Sequence, residues 1–73
     1  MIEIRLFATL RENRGKILFF EPENFPDANS ILMKLDIPAS DVAILLINGM
    51  HSKPQDSVKD GDVIALFPPV GGG

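Results

Sequence analysis

Asp60-Gly61-Asp62-Val63-Ile64-Ala65-Leu66-Phe67-Pro68-Pro69-Val70-Gly71-Gly72-Gly73 is the stretch from which the rest of the chain is read. Asp60-Gly61 is turn chemistry. From Asp62 to Phe67 the residues alternate, with Ile64 and Leu66 on one face and Val63, Ala65 and Phe67 on the other, the period of a β-strand. The strand must stop at Pro68-Pro69, because proline has no N–H to give to a ladder and holds φ near the polyproline value. Past the strand the chain becomes an arm. Its six residues, Pro68 to Gly73, span at most about 20 Å at roughly 3.3 to 3.6 Å each, enough to enter a deep pocket on a partner. The glycines carry no side chain, so the arm narrows toward its tip, and a narrow tunnel could admit it and expose only a terminal carboxylate. A frayed end without a role is the plain alternative. The succession of strand, Pro-Pro and triple glycine favours the arm, which divides the chain into a domain over 1–67 and a flexible tail over 68–73.

Working back from that strand, Ile2, Ile4, Leu6 and Ala8 alternate with Glu3, Arg5, Phe7 and Thr9 and predict a half-buried first strand. Leu10 to Gly15 reads as a polar turn, with Gly15 available for positive φ, into a second strand, Lys16 to Glu21. The short turn makes these a hairpin. Pro22 and Pro26 bracket a loop, and Asp27 stands at an N-cap position before Ala28, Ile31, Leu32 and Leu35, spaced i, i+3, i+4, i+7. This helix is short, because Pro38 pushes Ile37 out of the helical region and ends it by about Asp36. Val42 to Ile47 is apolar throughout and predicts a third strand, closed by Asn48-Gly49, a strong hairpin dipeptide. Such unbroken apolarity means that both faces are covered, or that one is a surface for a partner. Met50 to Lys53 would be a short return strand, kept at an edge by Pro54.

With 73 residues there is room for one domain, which buries only about 60% of its unfolded surface. Hydrophobic residues at 45% against 23% charged are enough for a core and exclude a disordered segment. The chain has no cysteine, which removes disulfides, thiolate metal sites and cysteine nucleophiles together and fits a reducing compartment. No signal-peptide pattern or membrane-length apolar run occurs, so the expected location is cytoplasmic, without a membrane partner. A net charge of −3 with scattered basic residues argues against nucleic-acid binding, since no Lys/Arg stripe could neutralise phosphates.

Side-chain chemistry in the body is scarce. His51 is the only histidine and has no cysteine or paired carboxylate near it to form a ligand set. Asp56, Asp60 and Asp62 cluster around Gly61 without calcium-loop spacing, and read as a solvated turn. No serine has the setting of a nucleophile; Ser40 reads as turn or capping chemistry. The alternation makes a different statement. If Ile2, Ile4, Leu6, Leu45, Ile47, Ile64 and Leu66 face the helix, then Phe7, Ile44, Leu46, Ala65 and Phe67 share the opposite face. A one-layer sheet leaves that face open, and it is expected to dock partners, since monomers rarely tolerate an unused apolar patch.

Three segments carry a resemblance: Ile4-Arg5-Leu6-Phe7-Ala8-Thr9-Leu10-Arg11-Glu12, then Ile37-Pro38 through Asn48-Gly49, then Asp60-Gly61-Asp62 through Phe67-Pro68-Pro69-Val70-Gly71-Gly72-Gly73. Over nearly its whole length the chain resembles the MoaD/ThiS sulfur carriers. Phe-Pro-Pro-Val before a terminal Gly-Gly is more typical of the small, MoaD-type subunit of molybdopterin synthase than of the thiamine sulfur carrier. The resemblance implies an α+β, ubiquitin-like β-grasp: a mixed sheet in strand order 2-1-5-3-4 with one helix across it. Asp36 stands where relatives often carry glycine, which predicts a weakened helix stop.

The resemblance also implies a chemistry. Gly72 and Gly73 match the family's diglycine, and Gly71 is assigned flexibility. An E1-like adenylating enzyme would use ATP to activate the Gly73 carboxylate, and sulfur would displace AMP to leave a thiocarboxylate. The loaded tail would then enter the large, MoaE-type subunit of molybdopterin synthase and donate sulfur to the dithiolene that binds molybdenum or tungsten. On this reading the chain is a carrier and a substrate, not an enzyme, and binds no cofactor or metal stably. Its partner contacts would be Phe7, Ile44, Leu46, Ala65 and Phe67 with Pro68, Pro69 and Val70 at the root of the tail. Sulfur donation to thiamine or another acceptor, a ubiquitin-like modifier that joins lysines, and an interaction module with an inert tail are the alternatives.

Overall fold

The computed structural model describes residues 1–69; Val70, Gly71, Gly72 and Gly73, which carry most of the tail expectations, lie outside the described residues. Strand β1 (Ile2–Leu6) pairs antiparallel with β2 (Ile17–Phe20), setting Ile4 opposite Leu18. Helix α1 (Ala28–Lys34) comes next, then β3 (Ile44–Ile47), β4 (Met50–His51) and β5 (Val63–Phe67). The sheet order is β2-β1-β5-β3-β4, as the resemblance implies, so β5 is central. It runs parallel to β1, with Leu6 beside Leu66, and antiparallel to β3, with Leu45 beside Leu66.

Period-2 alternation decides which side chains meet the helix. Ile2, Ile4, Leu6, Ile64 and Leu66 are fully buried and Leu45 nearly so, packed against Ala28, Ile31 and Leu32 of α1. Each such side chain contributes roughly 1.5 to 3 kcal/mol over an exposed one, and this single layer holds the domain together. The helix starts as its sequence predicts: the Asp27 carboxylate accepts the Ser30 N–H at 2.8 Å, satisfying one of the donors a first turn leaves free.

The helix stop differs from expectation. Asp36 takes the left-handed conformation at φ 58°, its N–H reaching the Met33 carbonyl at 3.1 Å while the Ile37 N–H reaches that of Leu32 at 2.9 Å. These are the two bonds of a Schellman stop. An aspartate tolerates that backbone better than most residues, and Arg14 adds a cation at the negative end of the helix. Its guanidinium donates to the carbonyls of Leu35 at 3.0 Å, Leu10 at 3.2 Å and Asp36 at 3.3 Å. The stop is therefore reinforced by the loop after β1.

Other boundaries move as well. The chain leaves β1 at Leu6 instead of Ala8, because Ala8 has φ 52° and starts a 3₁₀ turn over Ala8–Arg11. That turn drops Leu10 into the core at 5% exposure, so the segment read as polar supplies a core residue. A 3₁₀ turn over Ala39–Asp41 delays β3 to Ile44. Asn48 and Gly49 both have positive φ, as a tight primed hairpin turn requires, and β4 is only two residues long.

Candidate functional site

Parallel pairing of β1 and β5 brings two phenylalanines together. Because Leu6 lies beside Leu66, the next residues, Phe7 and Phe67, emerge side by side on the face away from α1. Their rings stack at 4.2 Å between centroids, with planes 9° apart. The Arg11 guanidinium carbon sits 5.3 Å from the Phe7 ring centroid, and its Nε donates to the Leu6 carbonyl at 2.8 Å. A cation over an aromatic face is attractive, so the stack is clamped from one end. Ile44, opposite Phe67 in the β3 register, completes a row of three apolar side chains across the end of the sheet.

The tail starts from this row. The last ladder bond given to β5 is that from the Ala43 N–H to the Phe67 carbonyl, 2.8 Å, after which Pro68 and Pro69 have no N–H to continue it. Phe7, Ile44, Phe67, Pro68 and Pro69 line an open, mainly apolar groove of about 560 Å³. A second, more polar groove of about 430 Å³ shares Thr9 and the two prolines with the first and adds Leu10, Arg14 and Asp41. Pro68 and Pro69 thus border both an apolar and a polar depression.

Of the site residues expected from the sequence, Phe7, Ile44, Leu46, Ala65 and Phe67 share the open face, and Pro68 and Pro69 continue it. Ile44 is exposed, Leu46, Ala65 and Phe67 are half-buried, and Pro69 is exposed. Of the two readings of the apolar third strand, one covered face and one open face is the outcome. Val70, Gly71, Gly72 and Gly73 lie outside the described residues. Two members of the face were missed: Ile17 and Phe19 on β2, opposite Arg5 and Glu3. Carrying the alternation across the predicted hairpin would have found them.

The remaining polar groups are committed elsewhere. Asp62, only 3% exposed, accepts the Lys59 N–H and the Asn48 side-chain amide, each at 2.9 Å, and Asn48 in turn accepts the Val63 N–H. Burial pushes the Asp62 carboxyl up, but these hydrogen bonds and the Lys59 ammonium at 3.5 Å outweigh it and hold the pKa below the ordinary value. Asp60 pairs with the Met1 ammonium, and Asp56 accepts the Lys53 N–H at 2.8 Å. The three aspartates are each spent separately. No group of side chains suited to a metal ion occurs among the described residues, and no described helix is long and apolar enough to cross a membrane.

The model of the ThiS family aligns with residues 4–73. This chain belongs to the ThiS family. Among solved structures, SAMP1, small archaeal modifier protein 1, from Haloferax volcanii is 26% identical over 99% of this chain and 98% of its own, with TM-score 0.79. Subunit 1 in the complex of subunits 1 and 2 of molybdopterin-converting factor from Helicobacter pylori is similar at 26% identity, 99% and 97% coverage and TM-score 0.66. No curated protein sequence matches the chain at a significant level. The ThiS-family chain is accordingly a small ubiquitin-like protein of the carrier type, an α+β β-grasp.

Proposed function

We propose that this ThiS-family chain carries sulfur as a thiocarboxylate on Gly73 and delivers it to molybdopterin assembly. The supporting observation is that the family match runs through Gly72 and Gly73, beyond a strand whose ladder ends at Phe67. A carboxylate is a poor electrophile, so it must first be activated. In the proposed sequence, a Gly73 carboxylate oxygen attacks the α-phosphorus of ATP on an E1-like enzyme and pyrophosphate leaves. A sulfur nucleophile such as hydrosulfide then adds to the acyl carbon, the bond to AMP breaks, and the thiocarboxylate remains. The body of the chain performs none of these steps. Its role is to present the arm: the Phe7–Phe67 stack and the two prolines fix the root, and the open apolar face docks the activating enzyme and then a MoaE-type acceptor subunit. The Helicobacter pylori relative, solved as a two-subunit complex, supports an acceptor of that kind.

Incubation with an E1-like enzyme, ATP and sulfide, followed by intact-mass analysis, tests the proposal. The chain is expected to gain the mass of one oxygen replaced by sulfur. Deleting Gly73 shortens the arm by about 3.3 to 3.6 Å, and a misplacement of about 1 Å already costs on the order of a hundredfold in rate. Gly72→Val keeps the length but widens the arm and stiffens its backbone. Both variants should keep the parent melting temperature and gain no sulfur. Sulfur on both would remove the proposal. A second reading, a modifier that forms isopeptide bonds with lysines, is supported by the likeness to SAMP1. Conjugates of higher mass that contain this chain, without thiocarboxylate on the free form, would select it.

A further inference from the structure

Asn48 and Gly49 close the hairpin between β3 and β4, and Asn48 also reaches across to β5. Its N–H donates to the Val63 carbonyl at 2.8 Å, continuing the β3–β5 register by one residue. An ordinary antiparallel pair would return the bond from the Val63 N–H to the Asn48 carbonyl. At φ 53° the backbone of Asn48 has already turned into the hairpin, and the Val63 N–H donates to the side-chain Oδ1 instead, at 2.9 Å. The other end of the amide, Nδ2, donates to the buried Asp62 carboxylate at 2.9 Å. The side chain thus stands in for a ladder carbonyl and is held at both ends. Asn48 is also the only asparagine of the chain followed by glycine; Asn13, Asn24 and Asn29 precede Arg14, Phe25 and Ser30. In an Asn-Gly pair no side chain shields the glycine nitrogen and its backbone turns freely, so that nitrogen can attack the asparagine Cγ. The bond from Cγ to Nδ2 then breaks, ammonia leaves and a cyclic succinimide remains. Water opens the ring at either carbonyl, giving aspartate or, with the main chain routed through the side chain, isoaspartate. The attack needs Cγ to swing toward the Gly49 nitrogen, and the two bonds to β5 fix the torsions that would carry it there.

We propose that Asn48 is a latent modification site, deamidated through Gly49 only when its bonds to Val63 and Asp62 open, and that the change is one-way. Aspartate at this position offers Asp62 an acceptor in place of a donor, so two carboxylates meet where Nδ2 stood 2.9 Å from one. Like charges that close do not both stay ionised in the closed hairpin, and the lock does not re-form. Isoaspartate lengthens the main chain within a turn of two residues, whose paired positive φ angles it no longer fits. Each event also adds one negative charge to a chain already at −3. The site lies at the Val63 end of β5, away from Phe67, so the root of the tail takes no part.

Breaking two such hydrogen bonds should slow the reaction on the order of tenfold to a hundredfold relative to the unfolded chain. The full chain, held near neutral pH with and without denaturant, is followed by intact mass and peptide mapping. The expected change is the mass gained when NH2 is replaced by OH, confined to the peptide that holds Asn48. Its slowing in the folded chain should equal the protection of the Val63 amide in hydrogen exchange, because both need the same local opening. Asp62→Ala removes the acceptor of Nδ2 and should speed Val63 exchange and deamidation by the same factor. Asn48→Asp, made directly, should melt below the parent near neutral pH. Deamidation as fast in the folded chain as in denaturant overturns the proposal. So does slowing that matches the interior amides of β5, since the gate would then be global unfolding. Earlier reaction at Asn13, Asn24 or Asn29, or an Asn48→Asp chain as stable as the parent, overturns it as well.

Discussion

Along β5, neighbouring residues have opposite fates. Ile64 and Leu66 are fully buried under α1, while Val63, Ala65 and Phe67, on the same strand and equally apolar in character, are only half covered. The difference is not one of composition. One helix can cover one side of a sheet, and the alternation of a strand sends every second residue to the uncovered side. The domain therefore keeps its cohesion on one face and an open apolar surface on the other, so the two can be changed independently. Ile17 and Phe19 extend that second surface to the edge of the sheet, whereas Phe7, Phe67 and Ile44 place it at the root of the tail.

The largest effect should come from the covered face. Leu66→Ala removes a fully buried side chain at the centre of the sheet and is expected to cost about 2 to 5 kcal/mol in denaturant unfolding, a large fraction of the stability of so small a domain. A loss below about 1 kcal/mol would mean that the core does not depend on this face as argued. An intermediate effect is expected from Asp62, the buried carboxylate that ties the Asn48-Gly49 turn to the start of β5. Asp62→Asn keeps one acceptor oxygen but sets an amide N–H against one of the two donors, Asn48 Nδ2 or the Lys59 N–H, and should cost about 1 to 3 kcal/mol near neutral pH.

The acid response of Asp62 has a definite sign. Its folded pKa is lowered, so its contribution is fully present above the unfolded value of about 3.9 and is lost as the pH falls through the lower folded value. The stability gap between parent and Asp62→Asn should accordingly close as pH drops below about 4; a gap that widened there would contradict the assigned network. The smallest effect on stability belongs to the open face. Leu46→Glu, at a half-buried position, should change unfolding by no more than about 1 kcal/mol, yet weaken binding of the proposed activating and acceptor partners in calorimetry. Unchanged binding would break the division between the two faces from the other side.

Much of this arrangement was legible in the residues. Period-2 runs in β1 and β5 assigned their faces, Asp27 marked the start of α1, Asn48-Gly49 marked the hairpin, and Pro68-Pro69 marked where the last ladder ends. These are local signals, since a cap, a primed turn or a missing N–H acts within a few residues of itself. The resemblance supplied the strand order, which places β5 between β1 and β3, and the structure agrees.

What only the tertiary structure decided depends on residues far apart in sequence. Leu10 looked like part of a polar turn, and becomes a core residue because the left-handed step at Ala8 turns the chain inward. Asp36 looked like a poor helix stop, and works because Arg14, 22 residues earlier, reaches the carbonyls at that end. Asp62 looked like a solvated turn residue, and is buried because Asn48, 14 residues away, meets its carboxylate. The Phe7–Phe67 stack exists because two strands from opposite ends of the chain run parallel in register. The sequence by itself determined which segments are strands and which is the helix, because hydrogen-bonding geometry and alternation are properties of neighbours. Which polar groups find partners, and which apolar groups stay uncovered, was settled by packing, because burial is defined only when distant segments have come together.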